Sequence, residues 1–400
     1  MLPKFRAIVI TLLFAASLLT ASFGCLPNGS SKTNDEVFYV VDYSMDTVQG
    51  VMQRIFGTED SVYYLASDGS SDGRILFSDK RNKGWLPLCS KPNCTHDSPD
   101  CDSYIEGDAF GRIWLYGRHI YYIVTDDDGS GSLSLWRMKL DGGAHERLRG
   151  ISAPEDHVYN GWRWTWSFHN KYAILSFSGD ALDDEGKENI FYGWFVIDLG
   201  DRELKLRPLE LIDDEGRPGS LGVPVAGKDR YLYSFSTENE NEVLYRTDLE
   251  TGEQKRIGVL PFAPMLHDCT LEGDSLILCD GWDTGAIYEF SLVTGETRVL
   301  AKAEDRSRLW YRYYKGKVYG AHHGVEGAPF ATGVYELDGT PIQIVDGSVY
   351  GKPIMMNYCV GDLAFGYDTD EGDNGNEPPR YYLDLTEVGT EAFTWRKWGE

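Results

Sequence analysis

The stretches YRTDLETGEQKRIGVL (residues 245–260) and YEFSLVTGETRVL (residues 288–300) are two copies of one pattern, and WRMKLDGGAHERL (residues 136–148) is a third. Each copy opens on an aromatic residue, alternates apolar with polar residues, turns at a glycine and continues into a second extended run. Such alternation on both sides of a glycine turn predicts two antiparallel strands joined in a hairpin. The pattern therefore predicts an all-β protein built from repeated hairpins.

The same unit recurs seven times along the chain. The aromatic residues that open the hairpins lie 43 to 59 residues apart: Phe77, Trp136, Phe195, Tyr245, Tyr288, Tyr335 and Tyr381. Preceding apolar strands extend each hairpin to a group of four. Because a lone four-stranded sheet cannot bury both faces, we expect seven such sheets to pack face to face around an axis. This arrangement is a β-propeller of seven blades with four antiparallel strands each.

Two alternatives to seven blades stay open at this stage. The boundaries of the sequence repeats are not sharply defined, so the number of repeats also allows six or eight blades. Two β-sandwiches would explain the number of strands but not the repeated aromatic and glycine pattern. In the propeller, the strand at residues 37–41 (VFYVV) is predicted to pair with the last blade and close the ring, which would hide exposed sheet edges.

Composition narrows the class of function. Of the 400 residues, 42% are hydrophobic and 13% aromatic, which excludes a disordered chain. The 38 Lys and Arg residues stand against 63 Asp and Glu residues, a formal net charge of −25. Nucleic acid is therefore excluded as a partner, since binding phosphates requires basic patches. The sequence contains no nucleophile elbow, HExxH motif or phosphate-binding glycine loop, so no catalytic residue is assigned.

The first residues form an export signal. Lys4 and Arg6 precede an uncharged apolar stretch at residues 7–21, and Ser22, Phe23 and Gly24 lead from it to Cys25. A cysteine directly after Gly24 resembles the lipobox of bacterial lipoproteins. That resemblance implies a signal peptide at residues 1–24 and lipidation of Cys25. An ordinary secretory peptide is the alternative.

The domain organisation follows from the position of that signal. Residues 25–36 are polar and contain Pro, Gly and Ser, so they are predicted to form a flexible tether to the lipid. Residues 37–400 then form a single propeller domain. The mature protein is expected outside the cytoplasm, on the cell membrane, with the lipid anchor as its membrane contact.

A cluster of cysteines follows the first repeat in the stretch LCSKPNCTHDSPDC (residues 88–101). Cys89, Cys94, His96 and Cys101 supply four soft or borderline ligands, enough to surround a tetrahedral zinc ion. A disulfide among the cysteines with His96 as a bystander is the competing interpretation, because exported chains form disulfides. Reduced cysteines without metal are a third. Each of the three interpretations makes the loop a structural clip.

Three more cysteines lie further along the chain. Cys269 and Cys279 flank a predicted hairpin turn, and a three-residue turn would place them opposite each other, where a disulfide can form. Two buried reduced cysteines are the alternative. Cys359 has no local partner and is predicted to lie in the core.

Aromatic side chains are the other candidate binding signal. Trp162, Trp164 and Trp166 alternate along one predicted strand and so face the same way, and Trp310 belongs to a second aromatic cluster. Such rings on a propeller rim can stack on sugars. Packing between blades is the alternative role, and it is the more common one for large rings in this fold.

Acidic runs are weaker candidates for a cation site. They occur at residues 126–129, 183–186 and 368–377, and none follows the register of an EF-hand loop. Solvated turns are the better interpretation, so calcium is not expected. Structural zinc is the only metal that the sequence suggests, and no other cofactor is expected.

The repeats resemble the broad class of secreted bacterial propellers that includes WD-like and Tol-associated members. The cysteine-rich insert after the first blade resembles uncharacterised β-propeller lipoproteins of Gram-positive bacteria of the gut Firmicutes type. This resemblance implies location and fold, and it brings no known activity.

These observations predict a surface-anchored lipoprotein that acts as a ligand-binding or protein-interaction scaffold. The ligand is expected at the mouth of the propeller channel, the partner is a cell-surface protein or glycan, and the chain is a monomer. The alternative is a secreted carbohydrate-active enzyme, a lyase or glycosidase, on the same fold. Such an enzyme would gather its catalytic residues from several blades.

Overall fold

The computed structural model describes residues 54–399 apart from residues 68–71, 108–111, 127–131, 153–158, 183–187, 214–215, 217–218, 220–221, 239–240, 261–267, 281–284, 303–307, 323–330, 349, 351–353 and 369–376. The described strands form seven antiparallel sheets, and each sheet has four strand positions. The chain is a seven-bladed β-propeller, as the repeat predicted.

The strands follow the chain blade by blade. The first three blades contain β1 (Ile55–Gly57), β2 (Ser61–Ser67), β3 (Gly73–Asp79), β4 (Leu86–Pro87) and β5 (Tyr104–Ile105); β6 (Ile113–Tyr116), β7 (His119–Thr125), β8 (Leu133–Lys139) and β9 (Glu146–Ile151); and β10 (Tyr159–His169), β11 (Tyr172–Leu182), β12 (Glu188–Asp198) and β13 (Arg207–Pro208). The fourth and fifth blades contain β14 (Val223–Lys228), β15 (Tyr231–Glu238), β16 (Asn241–Asp248) and β17 (Gln254–Leu260), then β18 (Asp268–Glu272), β19 (Ser275–Asp280), β20 (Ala286–Ser291) and β21 (Thr297–Lys302). The last two contain β22 (Arg308–Tyr314), β23 (Lys317–His322), β24 (Ala331–Tyr335) and β25 (Pro341–Val345), then β26 (Ile354–Val360), β27 (Leu363–Asp368), β28 (Tyr381–Asp384) and β29 (Arg396–Lys397).

Within each blade the strands pair in the order in which they occur along the chain, except that β4 and β5 both pair with β3 in the first blade. A short 3-10 helix at Leu385–Glu387 is the one helix in the part of the chain that the structure describes. Among those residues, none forms a helix of the length and apolarity needed to cross a membrane.

The turn between the third and fourth strands explains the sequence repeat. In the fourth blade, Asp248 Oδ1 accepts hydrogen bonds from the backbone amides of Glu250 at 2.9 Å and Thr251 at 3.4 Å. The amide of Gly252 donates to the carbonyl oxygen of Asp248 at 2.9 Å. In the fifth blade the hydroxyl of Ser291 takes the place of the carboxylate. The repeated Asp or Ser thus supplies the acceptor that closes the turn.

The repeated glycine also brings neighbouring blades together. A Cβ at Gly252 would lie 2.2 Å from the carbonyl oxygen of Glu210 in the preceding blade. At Gly295 it would lie 2.4 Å from the carbonyl oxygen of Ile257, again in the preceding blade. Both glycines have positive φ, +81° and +71°. The position therefore needs glycine for its backbone conformation and for the close contact between blades.

The hydrophobic core lies between the blades rather than along the axis. Separate clusters of buried side chains join each blade to the next; one of them, for example, joins Leu244 of the fourth blade to Phe290 of the fifth. Large aromatic rings fill several of these spaces, such as Trp114 of the second blade, which stacks on Phe168 of the third with ring centroids 6.1 Å apart.

Aromatic side chains join the seventh blade to the first. The indole N–H of Trp85 donates to the carbonyl oxygen of Pro379 at 2.9 Å. The indole N–H of Trp398 donates to the buried hydroxyl of Ser78 at 2.9 Å. All four described strands of the seventh sheet come from residues 354–397. The strand predicted at residues 37–41 lies outside the described residues, so its role in closure stays a prediction.

Candidate metal centre

The cysteine-rich loop interrupts the outer strand of the first blade. Both β4 and β5 pair with β3, and the loop runs between them. Both ends of the loop meet at Ile75 of β3, whose carbonyl oxygen accepts from the amide of Leu88 at 2.9 Å and whose amide donates to the carbonyl oxygen of Ser103 at 2.8 Å. The insert therefore belongs to the first blade itself, whereas the sequence placed it after that blade.

The loop, whose two ends meet at Ile75, brings four ligand atoms together. The sulfurs of Cys89, Cys94 and Cys101 and a ring nitrogen of His96 all lie within 4.8 Å of one another. The Nδ1 atom of His96 is 3.2 Å from the sulfur of Cys101. Cys101 is buried and the other three residues are half-buried. Zinc–sulfur bonds of about 2.3 Å in a tetrahedron place sulfurs about 3.8 Å apart, so this cluster can hold a metal ion with small adjustments.

The backbone of the loop is shaped to present these ligands. Asn93 and His96 have φ of +63° and +59°, a left-handed conformation that Asn and His adopt more readily than most residues. The carbonyl oxygen of His96 accepts a hydrogen bond from Arg74 Nη1 at 2.7 Å. Arg74 lies on β3, so the blade itself holds the histidine end of the loop in place.

A polar bridge ties the two arms of the loop together beside the ligands. Asp102 accepts from the amide and hydroxyl of Ser90 at 3.2 and 2.7 Å, and its other carboxylate oxygen lies 2.9 Å from Lys91 Nζ. These bonds lower the pKa of Asp102 against the opposing effect of its burial, which is the largest single contribution. The carboxylate therefore stays ionised and holds the arms that carry Cys89 and Cys101.

The electrostatics of the thiols favour a bound cation. Burial raises the pKa of Cys89, but amides of Lys91 and Asp102 donate to its sulfur and leave the pKa below its usual value. The amide of His96 lowers the pKa of Cys94, yet burial and the neighbouring sulfurs raise it above the usual value. Neighbouring thiolates repel one another, and a divalent metal ion removes that repulsion.

The geometry bears on the disulfide interpretation of the loop. A single disulfide would need one close cysteine pair and would leave His96 without a role. Instead, the imidazole nitrogen and all three sulfurs converge, and the three cysteines are unbridged. Three thiols and one imidazole match the donor set and number of a structural zinc site. Four protein ligands complete a tetrahedron, so such a centre keeps no open position for a substrate.

His145 of the second blade fastens this loop to its neighbour. Its Nε2 atom lies 2.6 Å from the carbonyl oxygen of Asp102, and its Nδ1 atom lies 2.9 Å from the hydroxyl of Tyr122. Since a carbonyl oxygen only accepts, Nε2 carries a proton and donates it to Asp102, while Nδ1 shares the second hydrogen bond with the tyrosine hydroxyl. Sequence reasoning did not find this role, because it depends on the contact between two blades.

The proposed pair of Cys269 and Cys279 is wrong as a disulfide. The hairpin turn contains two residues, because Glu272 pairs with Ser275, and not the three that were expected. Cys269 therefore pairs with Leu278 and lies one register position away from Cys279. Successive residues of a strand point to opposite faces, so the two sulfurs point apart. The two cysteines pack in different interblade clusters, and both are buried and unbridged.

The tryptophans predicted as sugar-stacking platforms pack between blades where the structure describes them. Trp166 is buried, and Trp164 lies against Phe177 and Phe195 with ring centroids 4.9 and 5.8 Å away. Both belong to the cluster between the second and third blades. The ligand-stacking role is therefore wrong for Trp166, and Trp164 serves in packing. The side chains of Trp162 and Trp310 lie outside the described residues.

Cys359 is buried in the core, as expected. The acidic runs at residues 126–129, 183–186 and 368–377 lie largely outside the described residues, as do Cys25 and the whole signal and tether.

Comparisons with known proteins find distant structural similarity alone. No family model and no curated protein matches this sequence. Among solved structures, the chain is similar to puromycin hydrolase, with a TM-score of 0.48 and 14% identity over 89% of this chain and 55% of that one. An acylaminoacyl peptidase from Pyrococcus horikoshii gives a TM-score of 0.48 and 12% identity over 86% and 52% of the two chains. An uncharacterized protein from Listeria monocytogenes gives 0.47 and 11% over 86% and 93%.

This chain spans about half the length of the puromycin hydrolase and of the acylaminoacyl peptidase. Identities this low bear on no activity.

Proposed function

We propose that this chain is an extracytoplasmic lipoprotein, anchored through Cys25, whose propeller holds a protein or glycan partner at the cell surface. A zinc ion at Cys89, Cys94, His96 and Cys101 acts as a structural clip on the rim of the first blade. The export signal, the lipobox-like cysteine and the polar tether support the location.

The observation that carries the proposal is the closed Cys3His cluster within the outer strand of the first blade. A centre with four protein ligands contributes to folding and rigidity rather than to catalysis. Here it stiffens a long loop on the outside of the ring, where a flexible loop would lose conformational entropy on binding a partner. A rigid rim on a repeat fold suits a scaffold.

Metal analysis tests the clip. The purified chain, prepared without chelator under reducing conditions, should contain one zinc per molecule by elemental mass spectrometry. Cys101→Ser should lose the metal, whereas Cys359→Ser, which removes a buried cysteine outside the cluster, should keep it. Less than about a tenth of a zinc per chain in the unmodified protein would contradict the proposal.

Cell fractionation tests the anchor. Cys25→Ser should appear in the medium, while Cys94→Ser, which keeps the N-terminal cysteine, should stay with the membrane. Retention of both variants would refute lipidation.

Crosslinking on intact cells tests the scaffold role. A defined surface protein or glycan should crosslink to the anchored chain and should be lost with the released one. Random crosslinking to many abundant surface molecules would contradict a specific scaffold.

A further inference from the structure

A cleft of about 580 Å³ lies beside the Cys3His cluster, between the first and second blades. One wall comes from the cysteine-rich loop and β5, and the other from β7, β8 and the turn before β9. The cleft therefore lies between two neighbouring blades, beside the loop that interrupts the outer strand of the first blade. Its volume suits a side chain or two of a partner.

Aromatic rings form part of the lining. Trp136 is half-buried and stacks on Tyr122 with ring centroids 6.4 Å apart and planes 9° apart. His145 meets the edge of Tyr122, and Tyr104 belongs to the opposite wall. Aromatic faces carry partial negative charge, so such a lining attracts organic cations.

Carboxylates line the same cleft, and two of them have their charge compensated. Asp102 pairs with Lys91 at 2.9 Å, and Asp126 pairs with Arg147 at 3.3 Å. Asp100 and Glu106 are exposed, and no ion pair to either carboxylate exists among the described residues. The cleft thus has two surplus negative charges in addition to its aromatic lining.

The net charge of the whole chain adds to this negative field. The whole chain carries a formal charge of −25. Long-range attraction therefore favours a basic partner over an acidic or neutral one.

We infer that this cleft binds a lysine or arginine side chain from a basic segment of a partner protein, with the cation between Glu106, Asp100 and the face of Trp136. The inference rests on the proposed scaffold function and names the chemistry of its partner. The carboxylates accept the charged hydrogen bonds, and the aromatic ring contacts the alkyl stem and the cation.

The metal centre and the cleft are coupled through one loop. Lys91, Asp100 and Asp102 lie between or beside the ligands Cys89 and Cys101 in sequence. Without the metal, the loop that forms this wall of the cleft is less rigid. Binding in the cleft should therefore weaken when the metal is removed from the cluster.

Isothermal titration of the full-length chain in detergent tests the inference. The probe is a trilysine peptide capped at both ends, and the matched control is the same peptide with all three lysines acetylated. We expect trilysine to bind at least about 10-fold more tightly, because acetylation removes the charge and keeps the stem. Binding should weaken as salt is raised.

Three variants localise the effect. Glu106→Gln should weaken binding of trilysine about 5-fold, and Trp136→Leu by a similar factor. Glu391→Gln, an exposed carboxylate on the seventh blade, makes the same change of charge and should have no effect. A weakening by Glu391→Gln equal to that by Glu106→Gln would show mere attraction to an acidic surface and would overturn the inference.

Equal affinity for the two peptides would also overturn it, as would a cleft that takes calcium alone. These outcomes are independent of the anchor, since they are measured on purified protein. Peptide binding together with membrane retention of Cys25→Ser would refute the proposed location and leave the cleft assignment standing. Release of Cys25→Ser without peptide binding would refute the cleft assignment only.

Discussion

Gly252 offers the most direct test of how the repeat holds the blades together. Its φ is +81°, and a Cβ there would lie 2.2 Å from the carbonyl oxygen of Glu210 in the preceding blade. Its own carbonyl oxygen accepts a hydrogen bond from the amide of Ile212 at 3.3 Å. Gly252→Ala should therefore strain the backbone and also push the third and fourth blades apart.

Gly316 is a matched control for the cost of placing an alanine in a left-handed backbone conformation. Its φ is +77°, and a Cβ there would meet no heavy atom within 4 Å. The left-handed conformation costs an alanine about 1 kcal/mol at either site. Forcing a methyl group into a closed contact adds about 1–3 kcal/mol, and it does so at Gly252 alone. We expect Gly316→Ala to lower the free energy of unfolding by about 1 kcal/mol and Gly252→Ala by about 2–4 kcal/mol.

Urea unfolding followed by tryptophan fluorescence measures the difference. With a slope of about 3 kcal/mol per molar urea, the midpoint should fall by about 0.3 M for Gly316→Ala and by about 1 M for Gly252→Ala. Equal shifts for the two variants would refute the reasoning, because they would show that the glycine serves only its backbone conformation and not the contact between blades.

Two further predictions concern a buried histidine and the closure of the ring. Burial lowers the pKa of His169 to about 4, against about 6.5 in the unfolded chain, so its contribution to stability is complete above pH 6.5 and falls by about 3 kcal/mol as the pH decreases to 4. In the unmodified protein Nε2 of His169 lies 3.0 Å from the carbonyl oxygen of Asp229, and His169→Gln keeps a donor toward that oxygen. The variant should therefore lose this part of the pH dependence of stability. If the free energy of unfolding changed by the same amount between pH 7 and pH 4.5 in both proteins, the prediction would be contradicted. Trp398→Phe leaves the buried hydroxyl of Ser78 without its donor and should cost about 1–3 kcal/mol in thermal unfolding. The double variant with Ser78→Ala should cost less than the sum of the single variants, and strict additivity would show that the two side chains do not interact.

The metal centre shows how far local sequence patterns reach. The spacing of Cys89, Cys94, His96 and Cys101 identified them as candidate ligands, because all four lie within one short loop. The spacing did not show that both ends of that loop meet at Ile75, or that His145 fastens it to the second blade. Those contacts join residues far apart in sequence, and no local pattern encodes them.

The cysteine pair at 269 and 279 shows the limit of strand patterns. Both residues were correctly placed on adjacent strands of one hairpin. A turn shorter by one residue moved Cys279 opposite Asp268 instead of Cys269, and this one step turned the two sulfurs to opposite faces. Alternation along a strand has a period of two, so any error of one residue in register reverses the predicted face.

The sequence by itself determined the class of fold, favoured seven blades over six or eight, and placed the four residues of the candidate metal centre within one loop. Its signals were alternation along strands, a glycine and an Asp or Ser in a recurring turn, and cysteines within one loop, all of which act over a few residues. Only the tertiary structure decided that Trp166 faces a neighbouring blade, that the loop interrupts the outer strand of the first blade, and that a cleft opens beside it. These features arise where one blade packs on the next, and that packing depends on the shapes of two sheets at once.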